Sequence, residues 1–187
     1  MTISKDDAAL ALSEIDAAGG RLREVTAYAQ AAPFLVIWGL VWMACDLTDQ
    51  FAPAFGYRYG WTLGVVLGTL ASTAVGVSMG RKKAQSANAG SWRYFASWLA
   101  IAGFIVSLFL VIPVTSGREV HSVFGLLFGF IYIVMGIWTG WRLVALGAAL
   151  IALTLIGFYE IGHWYPLFMG LVSGGALLLG GLWLRRI

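Results

Sequence analysis

Six apolar runs alternate with short polar segments along this chain, and each run has the length of a membrane-spanning helix. The runs cover residues 33–51, 59–80, 92–114, 120–139, 141–159 and 165–184. A spanning helix needs about 20 mostly apolar residues, so each run accounts for one crossing. The pattern predicts an all-α integral membrane protein, in which residues 30–187 form a compact bundle of six transmembrane helices.

The segment before the first run, residues 1–29, follows a different pattern. Its apolar side chains recur at alternating spacings of four and three residues, at Ala11, Ile15, Ala18, Leu22, Val25 and Ala29. This spacing places them on one side of an α-helix. The segment is therefore predicted to be a short amphipathic helix, with Pro33 in the first turn of the span that follows.

Composition strengthens the membrane interpretation. Of the 187 residues, 60% are hydrophobic and only 11% are charged, which is more apolar surface than a soluble domain of this size can bury. The net charge of +3 is small and lies beside the spans, so it does not indicate nucleic-acid binding. The single cysteine, Cys45, excludes an intrachain disulfide and a metal site made of cysteines alone.

The basic residues predict an orientation. Ten of the twelve lie in alternate segments, namely the N-terminal segment, the second and fourth loops and the C-terminal tail. They are Lys5, Arg21, Arg23, Arg81, Lys82, Lys83, Arg93, Arg142, Arg185 and Arg186. Because Lys and Arg accumulate on the cytoplasmic side, both termini are predicted to be cytoplasmic and the protein to lie in a plasma membrane of the bacterial inner-membrane type.

Small residues recur every four positions along the second run, at Gly60, Gly64, Gly68, Ser72, Gly76 and Gly80. Residues four apart share one helix face, so this ridge of small residues can receive the backbone of a neighbouring helix. We expect the ridge to pack within the bundle, and contacts between copies of the chain are the alternative.

Two acidic residues lie unusually deep in the first run. Asp46 follows Phe34 by twelve positions, or roughly 18 Å along a helix axis. In a hydrocarbon core about 30 Å thick, that depth is below the predicted outer interface. Asp49 follows at i+3 and shares its helix face with Trp42. Such carboxylates are costly in a membrane and should face protein or water and have a partner.

Three further residues near the predicted outer face complete the candidate site for a ligand or ion. Arg58 and Arg118 are the basic residues that could reach Asp46 and Asp49 from neighbouring loops, and Glu119 directly precedes the fourth span. Together they predict an outward-facing acidic vestibule. The alternative is that the two aspartates only hold the first loop by ion pairs and hydrogen bonds.

A metal site is a separate hypothesis. Glu160 and His163 form an E-x-x-H pair, which lies on one helix face if the fifth span continues that far. Glu119 and His121 could join them in a mixed cluster suited to zinc, iron or copper. The two histidines could instead clamp a haem as axial ligands. The alternative is that these side chains only meet headgroups and water.

H-E-x-x-H and the P-loop are both missing from the sequence, so neither of these motifs indicates an enzyme. We expect a non-enzymatic membrane module that binds or passes a small ligand or ion, as a small transporter or channel. One alternative is a sensor or scaffold that binds a cytoplasmic partner through the N-terminal helix. Another is the metal or haem protein. The expected partners are the lipid bilayer and a cytoplasmic protein or a second copy of the chain, and no cofactor is required.

Overall fold

The computed structural model describes residues 5–83, 91–112 and 116–186. Within these ranges every regular element is helical, which confirms the all-α prediction. The elements are α1 (Lys5–Phe51), α2 (Pro53–Phe55), the π-helical turn π1 (Gly56–Gly60), α3 (Trp61–Lys83), α4 (Ser91–Val111), α5 (Gly117–Thr139), α6 (Trp141–Glu160), α7 (Tyr165–Phe168), the π-helical turn π2 (Met169–Gly174) and α8 (Gly175–Leu184). The basic loop predicted between the second and third spans lies mostly outside the described residues.

Five stretches of the described chain are helical, long and apolar enough to cross a membrane. They are Ala9–Phe51, Pro53–Gly80, Gly117–Thr139, Trp141–Glu160 and Tyr165–Leu184. The third predicted span corresponds to α4, whose described apolar part, Leu99–Val111, is shorter than a full crossing. The described residues therefore show five such helices rather than the six expected, and they are compatible with a multi-pass membrane protein.

The N-terminal segment and the first span form one helix of 47 residues, α1, about 70 Å long. Pro33 does not begin a helix, as the sequence suggested, but lies inside α1. A proline removes one backbone hydrogen bond, and packing by neighbouring helices makes this tolerable in a membrane bundle. Ala32 and Leu35 beside it are buried, whereas Ile15 and Leu22 in the N-terminal part are exposed.

Glycines bring α1 into backbone contact with the last span. A Cβ added at Gly174 would lie 3.0 Å from the Met43 nitrogen, and one at Gly181 would lie 2.9 Å from the Ala32 carbonyl oxygen. Buried leucines, including Leu35 and Leu177, fill the space along this contact. The contact fixes α1 along most of its apolar length.

Helices α5 and α6 form a tight hairpin. Gly140 alone joins them, with a φ of 149° that favours glycine. A Cβ at this position would meet the hydroxyl of Tyr28, so the turn also contacts α1. Along the hairpin, the Cβ position of Gly129 lies 2.9 Å from the Gly147 carbonyl oxygen. The two helices are therefore in direct backbone contact.

Helices α3 and α4 lie at the periphery of the described bundle. The first half of α3 packs against α1 through Gly64 and Gly68. On α4, Leu110 is 82% exposed, and Phe109 contacts Phe124 of α5 with ring centroids 5.7 Å apart. Soluble monomeric proteins rarely expose large apolar surfaces of this kind.

Candidate functional site

Three ionisable side chains meet inside the bundle at one end, which we call the acidic end because α1 finishes there with two aspartates. Asp46 and Asp49 lie one turn apart near the end of α1, and they are 2% and 3% exposed. His121 comes from the first turns of α5, and its side chain is 11% exposed. Its Nδ1 lies 3.2 Å from Asp46 Oδ1, and its Nε2 lies 3.7 Å from Asp49 Oδ2. We call these three residues the acid–histidine group.

Trp61, the first residue of α3, holds one side of this group. Its indole Nε1 donates a hydrogen bond of 2.7 Å to Asp49 Oδ2, and its ring centroid lies 4.5 Å from that of His121. The bond fixes one carboxylate oxygen of Asp49 and leaves the other oxygen for a different partner. Trp61 therefore orients both a carboxylate and the imidazole.

Both π-helical turns press a glycine against the acid-bearing face of α1. A Cβ added at Gly56, in π1, would lie 2.9 Å from the Asp49 Cα. A Cβ added at Gly170, in π2, would lie 2.9 Å from the Asp46 Cβ. Only glycine permits so close an approach, and π-helical turns occur often at functional sites. The turn π1 thus packs against Asp49, and the turn π2 packs against Asp46.

Several atoms of the acid–histidine group are buried without a hydrogen bond among the described residues. They are Asp46 Oδ1, Asp49 Oδ1 and His121 Nδ1. Asp46 Oδ1 lies 3.2 Å from His121 Nδ1, yet neither atom has a hydrogen bond among the described residues. Leaving a buried polar atom unpaired costs about 1–3 kcal/mol. Three such atoms in one group therefore need an explanation.

Arg118 lies one turn before His121 on α5, but its guanidinium group is hydrogen-bonded to the end of α6. Its Nη2 donates to the carbonyl oxygens of Gly157, at 3.1 Å, and of Phe158 and Ile161. Among the described residues, no ion pair joins Arg118 to Asp46 or Asp49. Its positive charge therefore caps helix carbonyls instead of balancing the buried carboxylates.

Below Arg118, a buried hydroxyl pair links α5 to α7. Ser122 Oγ and Tyr165 Oη are 2.7 Å apart, and Ser122 Oγ also donates to the Arg118 carbonyl oxygen at 2.9 Å. Tyr165 is 3% exposed, and its ring lies 4.9 Å from the Arg118 guanidinium carbon. This pair holds the start of the last span against α5.

A cavity of about 260 Å³ leads to the acid–histidine group from the acidic end. Asp49 and His121 are both in its wall. The other lining residues are Gln50, Pro53, Tyr57, Gly117, Arg118, Gly162, His163, Tyr165 and Pro166. The cavity is large enough for a few water molecules or a hydrated ion, so the buried group has an entry route.

Two other predicted site residues, Arg58 and Glu119, make contacts outside this group. Arg58 is exposed, with its guanidinium 5.4 Å from the ring of Tyr59. Glu119 forms a capping box with Ser116 at the start of α5. The sequence signal for this cap is the S-x-x-E spacing of Ser116 and Glu119.

Glu160 and His163 do not share a helix face, because α6 ends at Glu160. Both are exposed. His163 lies in the turn before α7, where it lines the cavity and contacts the Trp164 ring at 5.6 Å. A metal-capable group does form among the described residues, but it consists of Asp46, Asp49 and His121, with one ligand atom of each within 4.8 Å of the others.

Sequence reasoning missed the pairing of His121 with Asp46 and Asp49 and the roles of Trp61 and Tyr165. One signal was present, because deep carboxylates need polar partners and His121 begins the neighbouring fourth run. The choice of helix that faces α1 depends on packing and could not be read from spacing.

No family model matches the chain, and no curated protein or solved structure shows significant similarity to it.

Proposed function

We propose that this protein is a non-enzymatic multi-pass membrane protein that binds a small cation at the acid–histidine group and passes it across the membrane. The cavity is the proposed entrance, on the outer side if the basic residues set the orientation. The proposed class is that of small transporters and channels.

One observation carries the proposal. Two carboxylates, Asp46 and Asp49, are almost fully buried, and each keeps one oxygen without a hydrogen bond. Buried anions with spare acceptor atoms are costly unless a cation joins them. His121 alone adds at most one positive charge, and the guanidinium of Arg118 is committed to carbonyl oxygens. A bound cation would supply the missing charge and partners.

The surface of the bundle supports a membrane setting. Large apolar side chains lie outside on most described helices, for example Trp138 at 87% exposure and Leu110 at 82%. Contact of such a surface with lipid is favourable, whereas its exposure to water would be costly. An ionisable group inside a spanning bundle is a functional-site hypothesis by default.

A flux measurement tests the proposal. The protein is reconstituted in liposomes, and the uptake of protons, Na⁺, K⁺, Mn²⁺ and Zn²⁺ is followed separately. We expect uptake of at least one of these cations, and we expect Asp46→Asn to reduce it to the level of empty liposomes. Glu160→Gln is the matched control, because Glu160 is an exposed carboxylate at the same end. Flux of none of these cations, or flux indifferent to Asp46→Asn, would contradict the proposal.

A sensor is the second candidate, and the continuity of α1 favours it. The helix that carries Asp46 and Asp49 runs without a break to Lys5. Its N-terminal part exposes Leu10, Ile15 and Leu22. Ligand binding at one end could therefore move a surface at the other. Hydrogen–deuterium exchange of residues 9–27 with and without added cation tests this idea, which requires a change in protection that Asp46→Asn abolishes.

A further inference from the structure

We infer that the ligand of the acid–histidine group is a divalent first-row transition-metal ion of the Zn²⁺, Fe²⁺ or Mn²⁺ type. This inference rests on the proposed cation site and names the class of cation. The charge, the donor atoms and the geometry of the acid–histidine group support it.

The charge of the group favours a divalent ion. With Asp46 and Asp49 ionised and His121 neutral, the group carries two negative charges. A monovalent ion, or a proton on His121, would leave one of these charges uncompensated in a buried place. A divalent ion leaves none, which matters because unpaired buried charge costs several kcal/mol. Among the described residues no arginine ion pair competes for the carboxylates.

The donor atoms favour a transition metal over Mg²⁺ or Ca²⁺. Those two ions prefer oxygen ligands alone, whereas an imidazole suits zinc, iron, nickel and copper, and carboxylates also suit manganese. The neighbouring thiol does not shift the preference to softer ions, because Cys45 Sγ is directed to the Gly60 carbonyl oxygen at 3.5 Å. Two carboxylates and one imidazole make a three-ligand site of the kind that leaves coordination positions open.

The geometry requires only a small closure. One ligand atom from each residue lies within 4.8 Å of the others, so a point between them is no more than about 2.8 Å from each. Metal–ligand distances for His and carboxylates are about 2.0–2.2 Å. A rotation of the side chains can supply the difference. Asp49 and His121 line the cavity, so water or a substrate group could fill the open positions.

Trp61 is a positioning residue in this site. Its hydrogen bond to Asp49 Oδ2 resembles the outer hydrogen bonds that orient metal-binding carboxylates, whose loss typically weakens metal binding 10- to 100-fold. The variant Trp61→Phe keeps an aromatic ring beside His121 and removes the donor. We therefore expect it to weaken binding by about 10-fold.

The test uses the full chain purified in detergent and stripped with a chelator. Titration calorimetry with ZnCl₂ and MnCl₂ should give one site for each chain, with no competition from MgCl₂. Asp46→Asn and His121→Gln should each weaken binding by about 100-fold or more. Glu160→Gln, which alters an exposed acid at the same end that does not line the cavity, should remain within about twofold of the parent.

X-ray absorption of the zinc-loaded parent protein provides a measurement that needs no variant. The expected zinc environment is one imidazole nitrogen with oxygen ligands at about 2.0–2.2 Å. A zinc ion bound by two or more imidazoles, or metal binding that persists in a folded Asp46→Asn variant, would overturn the inference.

The failure of this inference can be told from the failure of the proposed function. If neither metal binds but the liposomes show a proton, Na⁺ or K⁺ flux that needs Asp46, the transition-metal assignment is wrong and the cation site stands. If no cation binds or moves, both are wrong. Saturable binding of one zinc or manganese ion that depends on Asp46 and His121 supports both.

Discussion

The α5–α6 hairpin and helix α3 carry the same kind of small-residue pattern but differ in what those residues contact. In the hairpin, the Cβ position of Gly129 lies 2.9 Å from the Gly147 carbonyl oxygen. On α3, Gly64 and Gly68 lie against α1, whereas no described atom of another helix comes within 4 Å of the Cβ position at Gly76. The spacing of small residues thus indicates where a helix can be approached closely, but not which helix approaches.

The hairpin is also fixed at both ends, whereas the contacts described for α3 involve its first half. At one end Gly140 makes the turn and contacts Tyr28. At the other end Arg118 of α5 donates hydrogen bonds to the last carbonyl oxygens of α6, close to the acid–histidine group. Because the group takes His121 from α5, the rigidity of the hairpin determines how well the site is held.

The largest effect is expected for Gly129→Ala. The added methyl group would lie 2.6 Å from Ile151 Cγ1 as well as near the Gly147 carbonyl oxygen, and a backbone atom cannot rotate away. Overpacking of this kind typically costs 1–3 kcal/mol, and we expect about 3 kcal/mol here. Unfolding of the purified protein by sodium dodecyl sulfate in mixed micelles measures the loss. A loss below about 0.5 kcal/mol would show that the two helices are further apart than described.

The helical class could be predicted from the sequence because apolar runs near 20 residues leave few alternatives in a membrane. The break that was expected at Pro33 did not occur, since burial of Ala32 and Leu35 against other helices compensates for one lost hydrogen bond. Local signals therefore identified helices well, and tertiary packing decided where they end.

The candidate site could be predicted only in part. The depth of Asp46 and Asp49 along one helix follows from counting residues. Their partner does not, because the pairing of α1 with α5 depends on contacts between residues more than 70 positions apart. The E-x-x-H spacing of Glu160 and His163 is present in the sequence, but a helix end at Glu160 separates the two side chains.

A smaller effect is expected for Arg118→Lys, which keeps the charge at the open end of the hairpin. Lysine has no planar fork to reach several carbonyl oxygens at once, so part of the bonding to Gly157 and Ile161 is lost. Hydrogen bonds to charged groups contribute about 1.5–3 kcal/mol, and because Arg118 is only half-buried we expect a loss of about 1.5 kcal/mol. The same unfolding measurement applies, with exposed Arg58→Lys as the control that should change nothing.

Ser116→Ala should cost still less, about 1 kcal/mol, because it removes one half of the capping box at the start of α5. The Ser116 Oγ no longer accepts the Glu119 backbone N–H, which lies at 3.4 Å. Ser116→Thr keeps the hydroxyl and should restore most of the stability. If alanine and threonine behave alike in the unfolding measurement, the cap contributes nothing to the hairpin.

The smallest effect, and the opposite sign, is expected for Gly76→Ala on the open half of α3. The new methyl group meets no described atom of another helix within 4 Å, and alanine favours a helix over glycine by about 0.5–1 kcal/mol. A slight gain of about 0.5 kcal/mol should therefore appear in the same mixed micelles. A clear loss would mean that this face is covered by something beyond the described residues, such as a second copy of the chain. In that case the loss should depend on protein concentration, whereas the loss from Gly129→Ala should not, and the two small-residue faces would differ in their partner rather than in whether they have one.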